Sequence, residues 1–182
     1  MSGSRPATPR GRQSKRHRPR YRRLAADDTL LSGSMLKSAV DAILAWARLD
    51  RRHDVPYLAG YSRDGRTIYI DKDLPKAFST RAGRRVAVDR FLILHEAVEK
   101  SLLDDLGLIY QHAHQIALRA EQAAVKAAGV PWGEYDRFMS KHIKEADDVI
   151  DRLPADLDVK PYRDEHDVRL LKRMRAAARR RK

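Results

Sequence analysis

Three features of the sequence predict a single α+β domain, mainly helical, with a small β-hairpin packed on a helix pair and disordered basic termini. Two long segments, residues 88–106 and 109–128, carry apolar side chains at the three-and-four spacing of one helix face. Two short runs rich in β-formers flank Ser62-Arg63-Asp64-Gly65, a strong hairpin turn signal. The two ends are basic and carry no acid: residues 1–23 hold nine Arg or Lys and residues 168–182 hold eight. At 182 residues the chain suffices for one ordinary domain. The expected organisation is a disordered basic arm over residues 1–33, a globular domain over 34–167, and a basic helix end and tail over 168–182.

Taken in order, residues 1–23 are Arg-, Pro-, Gly- and Ser-rich and nearly devoid of apolar side chains. Such a segment buries too little surface to offset the entropy of ordering it. Its prolines and lack of an apolar face argue against a transit peptide. From Ser34 or Lys37 to about Arg51 the pattern is helical, with Leu36, Val40, Ile43, Leu44 and Ala47 on one face and Ser34 as a cap. Residues 55–61 and 66–71 read as the hairpin strands, and Pro75 then opens a loop lasting to Arg85. The central helices follow. Gly107 terminates the first, Gly129 and Pro131 close the second, and so short a link leaves them antiparallel neighbours. A third helix runs from Pro131 towards Ile150 with Tyr135, Phe138, Met139 and Ile143 inward. Residues 153–162 form an extended connection, and a last helix spans about 164–175 before the basic tail.

The formal charge of +13 divides unevenly. Setting the 17 terminal bases aside leaves 21 basic against 25 acidic residues in the body, which is mildly acidic. There is no cysteine, so disulfides and thiolate metal sites are excluded. No apolar run approaches the ~20 residues of a membrane span and no signal-peptide core follows the basic start, which predicts a cytoplasmic protein without membrane contact. The arm residues Arg10, Arg12, Lys15, Arg16, Arg18, Arg20, Arg22 and Arg23 suit phosphate contacts to nucleic acid, although a merely solubilising tail has the same composition. Nothing in the sequence sets an oligomeric state.

The chemistry concentrates on the helix pair. His95 and Glu99 share the stripe of Leu92, Leu102 and Leu106, while His114 and Glu121 share that of Tyr110, Ala113, Ala117 and Ala124. Isolated buried charge is costly unless paired, hydrogen-bonded or bound to a metal, so four such groups on adjoining helices ask for one explanation. With a reversal near Leu108, His95 and Glu121 each lie thirteen residues from the turn. Glu99 and His114 then differ by only about 4.5 Å along the axis. His95, Glu99, His114 and Glu121 are therefore candidate ligands of one divalent ion, zinc or equally iron or manganese. Glu96, pointing elsewhere on the turn, is the candidate to deprotonate water. Against this stands a core network in which His95 bonds Glu99, Glu121 or Tyr110, and a surface pair of Glu96 with Lys100.

The motif His95-Glu96-Ala97-Val98-Glu99 resembles that of the zincin-like metallopeptidases, in which a strand lies beside a helix bearing His-Glu-x-x-His. His95 and Glu96 match its first two positions over a resemblance spanning roughly residues 55–125. The resemblance implies a metal-dependent hydrolase of peptide or protein, with Glu96 as general base and a downstream ligand from His114 or Glu121. Glu99 stands where that family has its second histidine, so His114 supplies the missing imidazole from another helix. The competing expectation is a non-enzymatic nucleic-acid-associated protein, using its basic termini and keeping the His/Glu cluster as core structure.

Overall fold

The structure, a computed structural model, describes residues 27–146 and 150–179. The nucleic-acid candidates from Arg10 to Arg23 lie outside the described residues, as do residues 147–149 of the helix expected to reach Ile150, and Ile150 itself is not helical.

Helix α1 spans Asp27–Trp46. It starts seven residues before Ser34, which is therefore inside the helix and not its cap, and which moves the helix start into the expected 1–33 arm. No proline interrupts this stretch, and one glycine costs a helix only about 1 kcal/mol. The helix also stops earlier than its apolar pattern suggests: Arg48–Asp50 is strand β1, pairing in parallel with β3 (Thr67–Ile70) in the register Leu49↔Ile68. Sheet hydrogen bonds override the helical periodicity there.

The expected hairpin is formed by β2 (Ala59–Tyr61) and β3, antiparallel with Gly60 opposite Tyr69. Its turn carries Gly65 at φ 70°, and the Asp64 carboxylate accepts from Ser62 Oγ at 2.6 Å and from the Arg66 amide at 3.0 Å. Side chains at positive φ are disfavoured, so the residue type at position 65 matters. The sheet order is β1-β3-β2, and the central β3 is buried at all four residues. Ile68 and Ile70 pack towards α1 and α2 (Asp89–Asp104), while Tyr69 shares a cluster with Val55 and with Leu153, Tyr162, Leu170 and Met174 from the C-terminal part of the chain. The sheet is thus covered on both faces.

The loop expected over residues 76–85 contains a second hairpin, β4 (Ala77–Ser79) with β5 (Arg85–Ala87). Only Phe78 and Val86 turn towards the core from it, too short an alternation to read as strand in a polar stretch. Helix α2 is buried on a broad face from Phe91 to Leu103, and α3 (Tyr110–Ala127) meets it through Ala113, Ala117 and Ala124. Alanines at that spacing let the two backbones approach closely. Gly107, at φ 61°, reverses the chain between them. Helix α4 (Trp132–Ala146) brings Tyr135 and Met139 into the main core. The connection expected to be extended over residues 153–162 instead holds a turn at residues 155–156 and an isolated bridge between Leu157 and Ser62, and Lys160–Asp164 forms a short helix, α5. The final helix α6 (Val168–Arg179) begins four residues later than the pattern predicted, because His166 takes φ 55° and separates it from α5. No helix among the described residues is long and apolar enough to cross a membrane.

Candidate metal centre

Helices α2 and α3 bring the four predicted ligands together. His95, Glu99 and Glu121 are 6 %, 3 % and 4 % exposed, while the partly exposed His114 forms the open side. Glu99 Oε2 lies 2.9 Å from His114 Nδ1 and 3.6 Å from His95 Nε2, and the two imidazole nitrogens are 3.3 Å apart. A tetrahedral ion with bonds of ~2.0–2.1 Å separates its ligand atoms by roughly 3.3 Å, so these three atoms already sit near the corners of a coordination face. Glu96, the fifth residue of interest, is 7 % exposed and faces the cavity beside this group.

The fourth predicted ligand has a different place. Glu121 Oε2 is 2.7 Å from His95 Nδ1, on the far side of the ring from Glu99 and His114. A carboxylate there fixes the tautomer that carries hydrogen on Nδ1, which leaves the Nε2 lone pair aimed at the group. Glu121 is therefore an orienting residue behind His95. Tyr135 Oη donates to Glu121 Oε1 at 2.5 Å, and Tyr61 Oη donates to Glu99 Oε1 at 3.1 Å. Each carboxylate thus has one oxygen held by a buried tyrosine and the other turned to a histidine. Neither tyrosine stood out as a site residue, since Tyr135 reads as an ordinary inward position on α4 and Tyr61 as the end of a strand. Their partners lie far away in sequence. Tyr110, a weighed hydrogen-bond partner of His95, instead stacks its ring on His114 at 5.4 Å. His112 is exposed, as its position off the alanine stripe indicated.

Lys100 does not pair with Glu96. It reaches the exposed Asp104 at 2.9 Å and the largely buried Asp158 at 3.1 Å, so two other carboxylates take the place of the predicted partner. Among the described residues Glu96 makes no side-chain hydrogen bond. Burial, reinforced by the charge of Glu99, raises its carboxyl to about 8. Burial alone would lower the pKa of His95, but its hydrogen bonds to Glu121 and Glu99 outweigh that and raise it to about 10. Glu99 is held at about 2, its burial being overcome by the hydrogen bonds from His114 and His95. The geometry accordingly serves two states: an imidazolium clasped by two carboxylates, or a neutral imidazole whose Nε2 faces a cation.

Replacing Glu121 by Gln keeps the shape and removes the charge behind His95. Its expected result is a metal affinity weaker by about 10–100-fold with the fold intact, measured by competition with a chelator. An unchanged affinity would remove Glu121 from the site.

These groups line a cavity of about 180 Å³ enclosed by β2, α2, α3, α4 and the start of α5. Compared with known proteins, the chain matches no family model, no curated protein and no solved structure.

Proposed function

We propose that the protein is a metal-dependent hydrolase of zincin-like type acting on an amide bond of a peptide or protein. The observation that carries this reading is the convergence of His95 Nε2, Glu99 Oε2 and His114 Nδ1, all within 4.8 Å of one another, on a cavity that Glu96 also faces. A dication held by these three residues supplies Lewis-acid polarisation of a carbonyl and a lowered pKa for water. Zinc fits the spacing, and the carboxylate content also suits iron or manganese. The protein's own part is then defined. Glu121 keeps His95 in the required tautomer, Tyr61 and Tyr135 hold the two carboxylates, and Glu96 accepts the proton of the attacking water and returns it to the leaving amine. The test is hydrolysis of a quenched-fluorophore peptide library by metal-loaded protein, with activity removed by chelation and by Glu96→Gln.

A second reading has a specific observation behind it. Helix α6 buries Leu170, Met174 and Ala177 and presents Arg169, Lys172, Arg175 and Arg179 to solvent, continuing the basic character of the tail. This favours contact with nucleic-acid phosphates. Deleting residues 1–23, and separately replacing Arg169, Lys172 and Arg175 by Ala, are then expected to weaken duplex DNA binding and flatten its dependence on salt, measured by fluorescence anisotropy. An unchanged salt titration would count against that role.

A further inference from the structure

The cavity that holds the candidate metal group has walls of two kinds. Most of its surface is apolar and aromatic, including Tyr57, Tyr110, Tyr162, Leu118 and Met139. A cavity on the order of 150 Å³ admits a benzene-sized group, so the 180 Å³ here accommodates one ring or branched chain. Part of this wall is held in a costly conformation. Tyr57 and Leu58, neither of them glycine, have φ of 61° and 75°. Left-handed conformations are disfavoured for residues with side chains and persist where the surroundings enforce them. The Tyr57 hydroxyl donates to Asp167 at 2.9 Å, the Tyr57 ring lies 5.4 Å from that of Tyr162, and the Leu58 backbone bonds Val55 and Asp71. The strain sets an aromatic ring on the cavity wall.

The polar part of the wall has one sign. Beyond the histidines and glutamates of the metal group, Asp136 and Asp158 line the cavity, and among the described residues no lysine or arginine does. Asp158 is offset by Lys100 at 3.1 Å. Asp136, exposed on α4, has no ion pair among the described residues. A carboxylate at the rim attracts a cation and repels an anion, while the apolar and aromatic part of the wall favours an uncharged group.

From these two walls, and resting on the metal-site reading above, we infer that the cavity recognises an acyl group bearing one aromatic or branched apolar side chain together with a cationic amine, and discriminates against the anionic equivalent. The apolar group occupies the aromatic interior and the amine lies towards Asp136.

Three hydroxamates probe this on zinc-loaded full-length protein by calorimetry: L-phenylalanine hydroxamate, its N-succinyl derivative, and acetohydroxamate. Burying the phenyl ring is expected to make the first bind at least about tenfold more tightly than acetohydroxamate. Exchanging amine for carboxylate is expected to weaken binding by about two- to fivefold, more at low salt. Asp136→Asn should bring the two charged probes closer together and leave acetohydroxamate unchanged, and Tyr57→Ala should reduce the gain from the ring. Equal binding of all three probes, or tightest binding of the anion, on protein that retains stoichiometric zinc would overturn this inference alone. A folded protein that takes up no metal would overturn it together with the reading on which it rests.

Discussion

Zinc is expected to bind roughly tenfold more tightly for each unit of pH between about 7 and 9, with about one proton released per ion at neutral pH. The reason is His95. In the metal-free protein its imidazolium, held between Glu121 and Glu99, keeps its proton up to about pH 10. A cation needs the Nε2 lone pair, so proton and metal compete for one atom. The same competition fixes the stability of the metal-free fold. A histidine raised from 6.5 to about 10 contributes stability that is complete below pH 6.5 and lost as pH rises through 10. Glu96, raised from 4.5 to about 8, adds a loss of the same sign as pH rises from 4.5 to 8. Glu99, lowered to about 2, acts at the other end, its contribution being lost as pH falls from 4.5 to 2. Metal-free protein should therefore melt at progressively lower temperature from mildly acidic to alkaline pH, and zinc should reverse the alkaline part. Chelator competition and thermal unfolding across this range measure both effects. A zinc affinity independent of pH would mean that His95 is not a ligand.

Glu96→Gln is expected to lower peptide hydrolysis by about 10²–10⁴-fold while leaving the metal content unchanged. The side chain keeps its size and place but can no longer accept a proton from water. A second consequence is independent of any substrate. Because burial and the neighbouring Glu99 disfavour the Glu96 carboxylate, the neutral glutamine should stabilise the metal-free protein above pH 8, where the wild type has lost that proton. Unaltered turnover in the variant would place the reaction, or its general base, elsewhere. A loss of metal with the loss of turnover would make Glu96 a ligand.

Much of this arrangement was legible in the residue pattern because it is local. His95 with Glu99 and His114 with Glu121 declare themselves through helical spacing, and Gly107 signals the reversal that sets one helix beside the other. The hairpin was equally local, its turn written in Asp64 and Gly65. What the pattern could not supply were relations between distant segments. Spacing alone makes His95 and Glu121 level, but only the packing shows Glu121 reaching Nδ1 and so orienting the ring from behind. Tyr61 and Tyr135 come to the carboxylates from a strand and from a later helix. Arg48–Asp50 is strand because β3 lies beside it, a tertiary contact that overrides the helical run of α1. The small β4–β5 hairpin was hidden by its polar composition, with one inward side chain on each strand.

The whole account depends on His95 and His114 serving one ion. The direct measurement is elemental analysis of purified, tag-free protein after exposure to zinc, manganese or iron(II), beside His95→Ala and His114→Ala variants whose folding is checked by circular dichroism. The geometry predicts about one ion per chain in the wild type and loss of that ion in both variants. A well-folded wild type without metal, or retention of the ion by either variant, would contradict it and leave the cluster as a buried imidazolium network.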